Sequence, residues 1–228
     1  MSTQTTTRIF LVRHGATQLS AEDRFAGTIN PELSAEGIFQ AQRLAERLAD
    51  DRITAVYCSP MVRTVQTAAI LAKPHKLSPI LQDGLREIDH GHWEGMRRSE
   101  VEAQFNLEYA AWDEDPFTFA PQGGEAGVNV IARALPVIRQ VVLDHPGQNV
   151  IVVSHKATLR LLISALLGFD MRGYRDRLDQ SPACLNALDF KDPVRARLML
   201  FNDVSHYEDY PQRASGQLSK WWDTPGQD

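Results

Sequence analysis

Cysteine is scarce: Cys58 and Cys184 are the only two thiols in a chain of 228 residues. So few, and so far apart, they build neither a disulfide framework nor a cysteine-based zinc site. Cys58 follows the apolar run Ile53–Tyr57 and reads as a buried free thiol. Long apolar runs are lacking as well. Leu159–Leu167 falls well short of the ~18 residues that a membrane span requires, so no membrane partner is expected. Met1–Thr7 is polar, with neither the basic start nor the apolar core of a signal peptide, and the expected compartment is the cytoplasm. A basic surplus is also missing: 24 Lys and Arg stand against 29 Asp and Glu, a formal charge of -5. A dedicated nucleic-acid binder carries the opposite balance. A small anionic ligand stays compatible, because a pocket's local field can oppose the net charge. Repeats, low-complexity tracts and linkers are absent, which predicts one domain over residues 1–228.

What is present is a globular composition, 43% hydrophobic and 23% charged. A chain of this length buries roughly 70–75% of its unfolded surface and needs no staple. Arg8–Val12 reads as a short strand that stops at Arg13-His14-Gly15. Ser34 caps a helix expected to run to about Asp50, with Ala41, Leu44, Ala45 and Leu48 at helical spacing. The β-branched run Ile53–Tyr57 is the next strand, and a helix follows Pro60. Strand, helix, strand, helix implies a parallel sheet with helices on both faces. Ser99 with Glu102 suggests a capping box for a helix to about Trp112. An irregular excursion is expected over 113–127, then a helix over Val128–Asp144 that contains Pro136. Val150–Val153 is the strongest buried-strand signal; it leads into Ser154-His155 and an apolar helix, Thr158–Leu167. Ala183–Phe190 and Ala196–Phe201 read as closing strands, and the polar tail 203–228 as a flexible end or a flap.

Two of these strands end in histidine, His14 and His155, and ligands of open α/β sheets bind beyond the carboxyl ends of strands. Arg13 and Arg63 lie at strand-to-helix transitions, where a guanidinium fork suits phosphate oxygens. Gly15 would let the backbone approach an anion closely. His90-Gly91-His92-Trp93-Glu94 invites a metal reading, but the spacing is not that of a known two-histidine helix motif and no further ligand is evident. No metal is expected; His92 and Trp93 read as surface or packing residues.

Four blocks together resemble the histidine phosphatase superfamily, which includes the cofactor-dependent phosphoglycerate mutases. They are Leu11–Thr17, Ser59–Ala68, Leu85-Arg86-Glu87-Ile88 with Trp93-Glu94-Gly95, and Val153-Ser154-His155. Arg-His-Gly alone is a weak signal; all four in this order are a strong one, and the last quarter of the chain matches poorly. The resemblance implies a phosphoglycerate mutase-like fold, a three-layer α/β/α sandwich with a mostly parallel central sheet. It implies His14 as the nucleophile that accepts the phosphoryl group and Glu87 as general acid and base, with a carboxyl raised by burial and opposed by nearby arginines. Arg13, Arg63 and His155 correspond to the phosphate pocket, Thr17 adds a hydroxyl, and Ser20 stands where many members have asparagine. No metal or cofactor enters this scheme.

The stretch after Glu87 looks like the phosphatase branch, whereas mutases show a Glu-Arg-His-Tyr-Gly pattern and a longer insertion. The expected activity is therefore hydrolysis of a small phosphorylated metabolite, with phosphoserine the leading substrate; a mutase, or a sugar-phosphate phosphatase, is the alternative. A non-enzymatic phosphate-binding role is disfavoured because His14 and Glu87 are both present. Lys156 replaces a usual glycine, and His90 lies three residues beyond Glu87; both would suit a second anionic group on the substrate. Nothing in the sequence specifies an oligomeric state, and a homodimer is compatible with it.

Overall fold

The computed structural model describes residues 6–21 and 24–209. A six-stranded sheet has the order β3-β2-β4-β1-β5-β6. Its strands are β1 (Thr7–Arg13), β2 (Ile53–Cys58), β3 (Ile80–Leu81), β4 (Asn149–Ser154), β5 (Leu185–Phe190) and β6 (Ala196–Asp203). The first four pair in parallel, while β5 runs antiparallel to β1 and β6 antiparallel to β5. The helices in chain order are α1 (Gln18–Ala21), α2 (Ala35–Arg47), α3 (Val62–Ala72), α4 (Arg98–Gln104), α5 (Asn106–Glu114), α6 (Gly127–Asp144), α7 (Lys156–Leu167) and α8 (Tyr174–Arg177).

Strand periodicity explains why both faces of the sheet are covered. Successive side chains point to opposite faces, so a run of apolar residues needs a partner layer on each side. Leu11, Val150 and Val152 pack with Ile138 of α6 and Leu162 of α7, whereas Val12, Ile151 and Val153 pack with Leu44 of α2 and Leu71 of α3. The result is the expected three-layer sandwich with a mostly parallel sheet. Ser34 caps α2 by accepting from the Gly37 N–H at 3.1 Å. Among the described residues no helix is long and apolar enough to cross a membrane.

Three expected boundaries shift for physical reasons. The helix expected from Ser99 to Trp112 is two helices, broken at Phe105 (φ -129°, ψ 46°). It starts at Arg98, with the Glu100 carboxylate accepting from the Arg97 N–H at 2.7 Å. Arg97 is held extended by a bridge to Arg24, so Ser99 falls inside the first turn and cannot cap it. Ala183 does not belong to a strand: its φ is +51°, and its N–H turns inward to the His14 carbonyl. Of the tail, β6 ends at Asp203 and the Tyr207 hydroxyl donates to the Pro182 carbonyl at 2.6 Å; residues 210–228 lie outside the described residues. The excursion contains no helix or strand between Glu114 and Gly127.

Beside the sandwich, Phe25, Trp93, Val101, Tyr109 and Trp112 form a separate aromatic cluster. It anchors both Phe25 and the segment after Glu87, because Phe25 N–H donates to Met96 O and Gly95 N–H to Phe25 O. Trp93 is fully buried. Trp93→Ala is expected to lose about 3–5 kcal/mol of stability. A chemical-denaturation midpoint within error of the parent protein's would contradict that packing role.

Candidate active site

The site begins where β1 and β4 end. Arg13 stands opposite Ser154 in the register, so the next residues, His14 and His155, emerge side by side. Their ring centroids are 5.3 Å apart, with the rings edge-on at 63°. The His14 Nδ1 lies 2.7 Å from the Gly15 carbonyl. A carbonyl only accepts, so Nδ1 carries the proton and Nε2 keeps its lone pair. Burial, reinforced by Arg13 and Arg63, holds His14 well below the ordinary imidazole range. The ring is therefore neutral at neutral pH, the form a nucleophile needs. His155 is fully buried and likewise lowered, by burial and then by Arg63. Its Nε2 meets the Ser59 hydroxyl at 2.8 Å, and its Nδ1 has no protein partner among the described residues.

Arg13 and Arg63 supply fixed positive charge. Arg13 donates to the Gln180 carbonyl at 2.7 Å, and Arg63 to the carbonyls of Ile29 and Gly27 at 2.8 and 3.1 Å. Neither forms an ion pair with a carboxylate among the described residues. Carbonyl contacts orient a guanidinium without neutralising it, so both charges stay available to an anionic ligand. Burial, with a smaller contribution from Arg13, lowers Arg63 to about 10, still charged at neutral pH. Glu94 stabilises the loop that holds Arg63 by accepting from the Thr28 N–H and hydroxyl and from the Ile29 N–H.

Glu87 sits at the start of α7. Its carboxylate accepts from the N–H groups of Ala157 and Thr158, at 3.2 and 3.1 Å, and from the Thr158 hydroxyl at 3.1 Å. Arg133 of α6 fixes the chain beneath it, donating to the carbonyls of Gly84, Arg86 and Glu87 and pairing with both oxygens of Glu125. Glu125 thus has a structural role: its carboxylate holds the arginine that holds the Glu87 loop.

Arg13, His14, Thr17, Arg63 and Glu87 line one pocket, and His90 and Lys156 complete its expected wall. His90 packs edge-on against Phe25 at 4.8 Å, and burial lowers it to about 4, so it presents a neutral ring. His92 points elsewhere, to the Gln122 carbonyl and Glu108, which separates the two histidines of the metal reading. Gly15 serves the turn. Its N–H is taken by the Thr67 hydroxyl, and a Cβ there would lie 2.3 Å from the Gly37 carbonyl oxygen. The Ser20 side chain lies outside the described residues.

Sequence reasoning missed several pocket residues. Trp112 comes from the last turns of α5 and Tyr174 from α8, and no local pattern announces that these elements converge on the pocket. Arg175 stacks on Trp112 at 4.3 Å, with its charge engaged by Asp113 and Asp176. Arg160 had a usable signal: it lies four residues after Lys156, on the same helix face. Both contact Asp179 Oδ1, Lys156 at 3.2 Å and Arg160 at 2.7 Å. Burial, then repulsion from Arg160 and Arg13, lowers the Lys156 ammonium to about 8 against the pull of Asp179.

Two strand-end histidines, two arginines with no carboxylate partner among the described residues and a carboxylate at a helix start gather at this end of the sheet, and the class of protein is that of the phosphatases, hydrolases of phosphoric monoesters. The family model of the histidine phosphatase superfamily (branch 1) matches residues 9–204, and the chain belongs to that superfamily. It is 36% identical over 164 residues to phosphoserine phosphatase 1 of Hydrogenobacter thermophilus, covering 72% of this chain and 78% of that one. It is 32% identical over 168 residues to glucosyl-3-phosphoglycerate phosphatase of Mycobacterium tuberculosis, covering 70% and 75%. Some mycobacterial relatives, 31% identical, are longer, and the chain spans 55% of their length. Among solved structures, Bacillus stearothermophilus YhfR superposes with a TM-score of 0.83 at 28% identity, over 89% of this chain and 100% of that one.

Proposed function

We propose that this phosphatase hydrolyses a small phosphomonoester by double displacement on His14, and that phosphoserine is its leading substrate. The observation that carries the mechanism is the His14 hydrogen bond to the Gly15 carbonyl, which commits Nδ1 as donor and leaves Nε2 as the free lone pair in a pocket walled by Arg13 and Arg63. Nε2 attacks phosphorus as the ester P–O bond breaks, and Glu87 gives its proton to the departing alkoxide. Water then attacks the phosphohistidine; Glu87 takes a proton from it, the P–N bond breaks, and inorganic phosphate leaves. Arg13, Arg63 and the Nδ1 side of His155 offset the charge spread over the phosphoryl oxygens. Phosphoserine is favoured by the named Hydrogenobacter relative and by a pocket rich in cations beyond those the phosphate occupies.

The test is a panel of phosphorylated metabolites assayed with and without excess chelator. Phosphoserine is expected to exceed sugar phosphates, phosphoglycerates and a generic aryl phosphate in kcat/KM, and the chelator to leave the rate unchanged. Phosphoserine turnover no better than that of the aryl phosphate removes the substrate assignment. Loss of activity in chelator removes the metal-free mechanism.

A further inference from the structure

We propose that Lys156 and Arg160, one helical turn apart on α7 and joined through Asp179, form a subsite for a carboxylate at the non-phosphate end of the substrate. The inference rests on the phosphatase reading and extends it to named specificity residues. Lys156 Nζ and Arg160 both converge on Asp179 Oδ1, at 3.2 and 2.7 Å. The protein's own carboxylate thus displays the chemistry these two cations accept. Two positive charges face one negative charge, so the cluster carries a surplus of one, which a single carboxylate neutralises. A dianionic second phosphate would overshoot that balance.

Three further observations mark the cluster as built for a ligand. Arg160 is deeply buried, its side chain only 8% exposed, yet its Nε has no partner among the described residues and the residue lines the pocket. Lys156 occupies the first position of α7, where the partial positive charge of a helix N-terminus disfavours a cation. Arg13 adds to the repulsion on both side chains. A gathering of cations in a buried place is unfavourable until an anion arrives.

Placement fits a short substrate. Arg13 donates to the carbonyl of Gln180, the residue that follows Asp179, so the cluster abuts the phosphate-binding arginine. The remaining candidates for carboxylate recognition are otherwise engaged. Arg175 is paired with Asp113 and Asp176, Arg24 with Glu100, and His90 is a neutral ring against Phe25.

The test compares phosphoserine with phosphoethanolamine, whose leaving group is likewise a primary alkoxide with a neighbouring ammonium but carries no carboxylate. In the unaltered protein the ratio of their kcat/KM values is expected to be about 10 or more, the scale of one charge-assisted contact. Lys156→Met is expected to cut that ratio about 10-fold, chiefly through KM for phosphoserine, and Lys156→Arg to restore most of it. Taking a ratio cancels any general loss of activity in a variant. A ratio near 1 in the unaltered protein, or one unchanged by Lys156→Met, overturns the subsite while hydrolysis itself persists. Failure to hydrolyse both compounds and an aryl phosphate as well overturns the phosphatase reading, and the subsite with it.

Discussion

Replacing His14 by alanine is expected to reduce phosphatase turnover by about 10⁴-fold or more, because it removes the atom that the proposed double displacement uses to form its covalent intermediate. Arg13, Arg63 and Glu87 would remain, so binding of inorganic phosphate should survive even as turnover is lost. That split separates a nucleophile from a binding residue. The ring also has a structural contact, its Nδ1 bond to the Gly15 carbonyl, and His14 is only 5% exposed. Circular dichroism and a melting curve on the variant should therefore accompany the rate measurement. A folded His14→Ala protein that retains a tenth of the parent rate would contradict the assignment.

Glu87→Gln carries the second large effect, and its size should depend on the leaving group. An alkyl phosphate needs a proton on its departing oxygen, so kcat for phosphoserine is expected to fall about 10²–10⁴-fold. A nitrophenolate leaves unaided. With p-nitrophenyl phosphate, formation of the phosphohistidine should stay fast while its hydrolysis, which needs the same carboxylate as base, slows. Stopped-flow absorbance should then show a burst of nitrophenolate close to one per active site, followed by a slow steady state. The Ala157 and Thr158 N–H groups donate to different oxygens of Glu87, so the glutamine carbonyl can keep one of these two bonds and a folded-state check on the variant accompanies the kinetics. Equal losses on both substrates with no burst would assign Glu87 a binding role and leave the acid unidentified.

The readable parts of the fold are those in which one short segment carries the whole signal. Val150–Val153 can only be a strand covered on both faces, and the structure buries all four residues completely. Ser34 caps its helix through its own side chain, and Arg13-His14-Gly15 announces a strand end because the apolar run stops there. What stayed illegible depends on contacts between distant segments. The pattern Ser99-x-x-Glu102 is a sound local cap, yet the bridge between Arg24 and Arg97 sets the helix start two residues earlier. The two-residue strand Ile80–Leu81 exists through its pairing with Tyr57 and Cys58, not through any pattern of its own.

The site divides the same way. His14, Arg63, Glu87 and His155 sit in recognisable blocks, whereas Arg160, Tyr174, Arg175 and Trp112 reach the pocket only because α5, α7 and α8 converge on it. Gly15 also meets a demand that no local pattern reveals. It faces Gly37 across a close backbone approach and gives its N–H to Thr67. The acidic total charge of -5 likewise conceals a pocket whose ionised walls are mostly arginine and lysine.

The double displacement is tested most directly by trapping. The protein is mixed with a radiolabelled phosphomonoester that it turns over, quenched in alkali within milliseconds, digested, and the labelled peptide sequenced. Alkali preserves phosphohistidine, which acid destroys. The account predicts label on His14, forming and decaying at least as fast as steady-state turnover, and accumulating toward one per chain in Glu87→Gln when the labelled substrate is an aryl phosphate. Release of labelled phosphate at the full turnover rate with no label on the protein, or label on a residue other than His14, would contradict it.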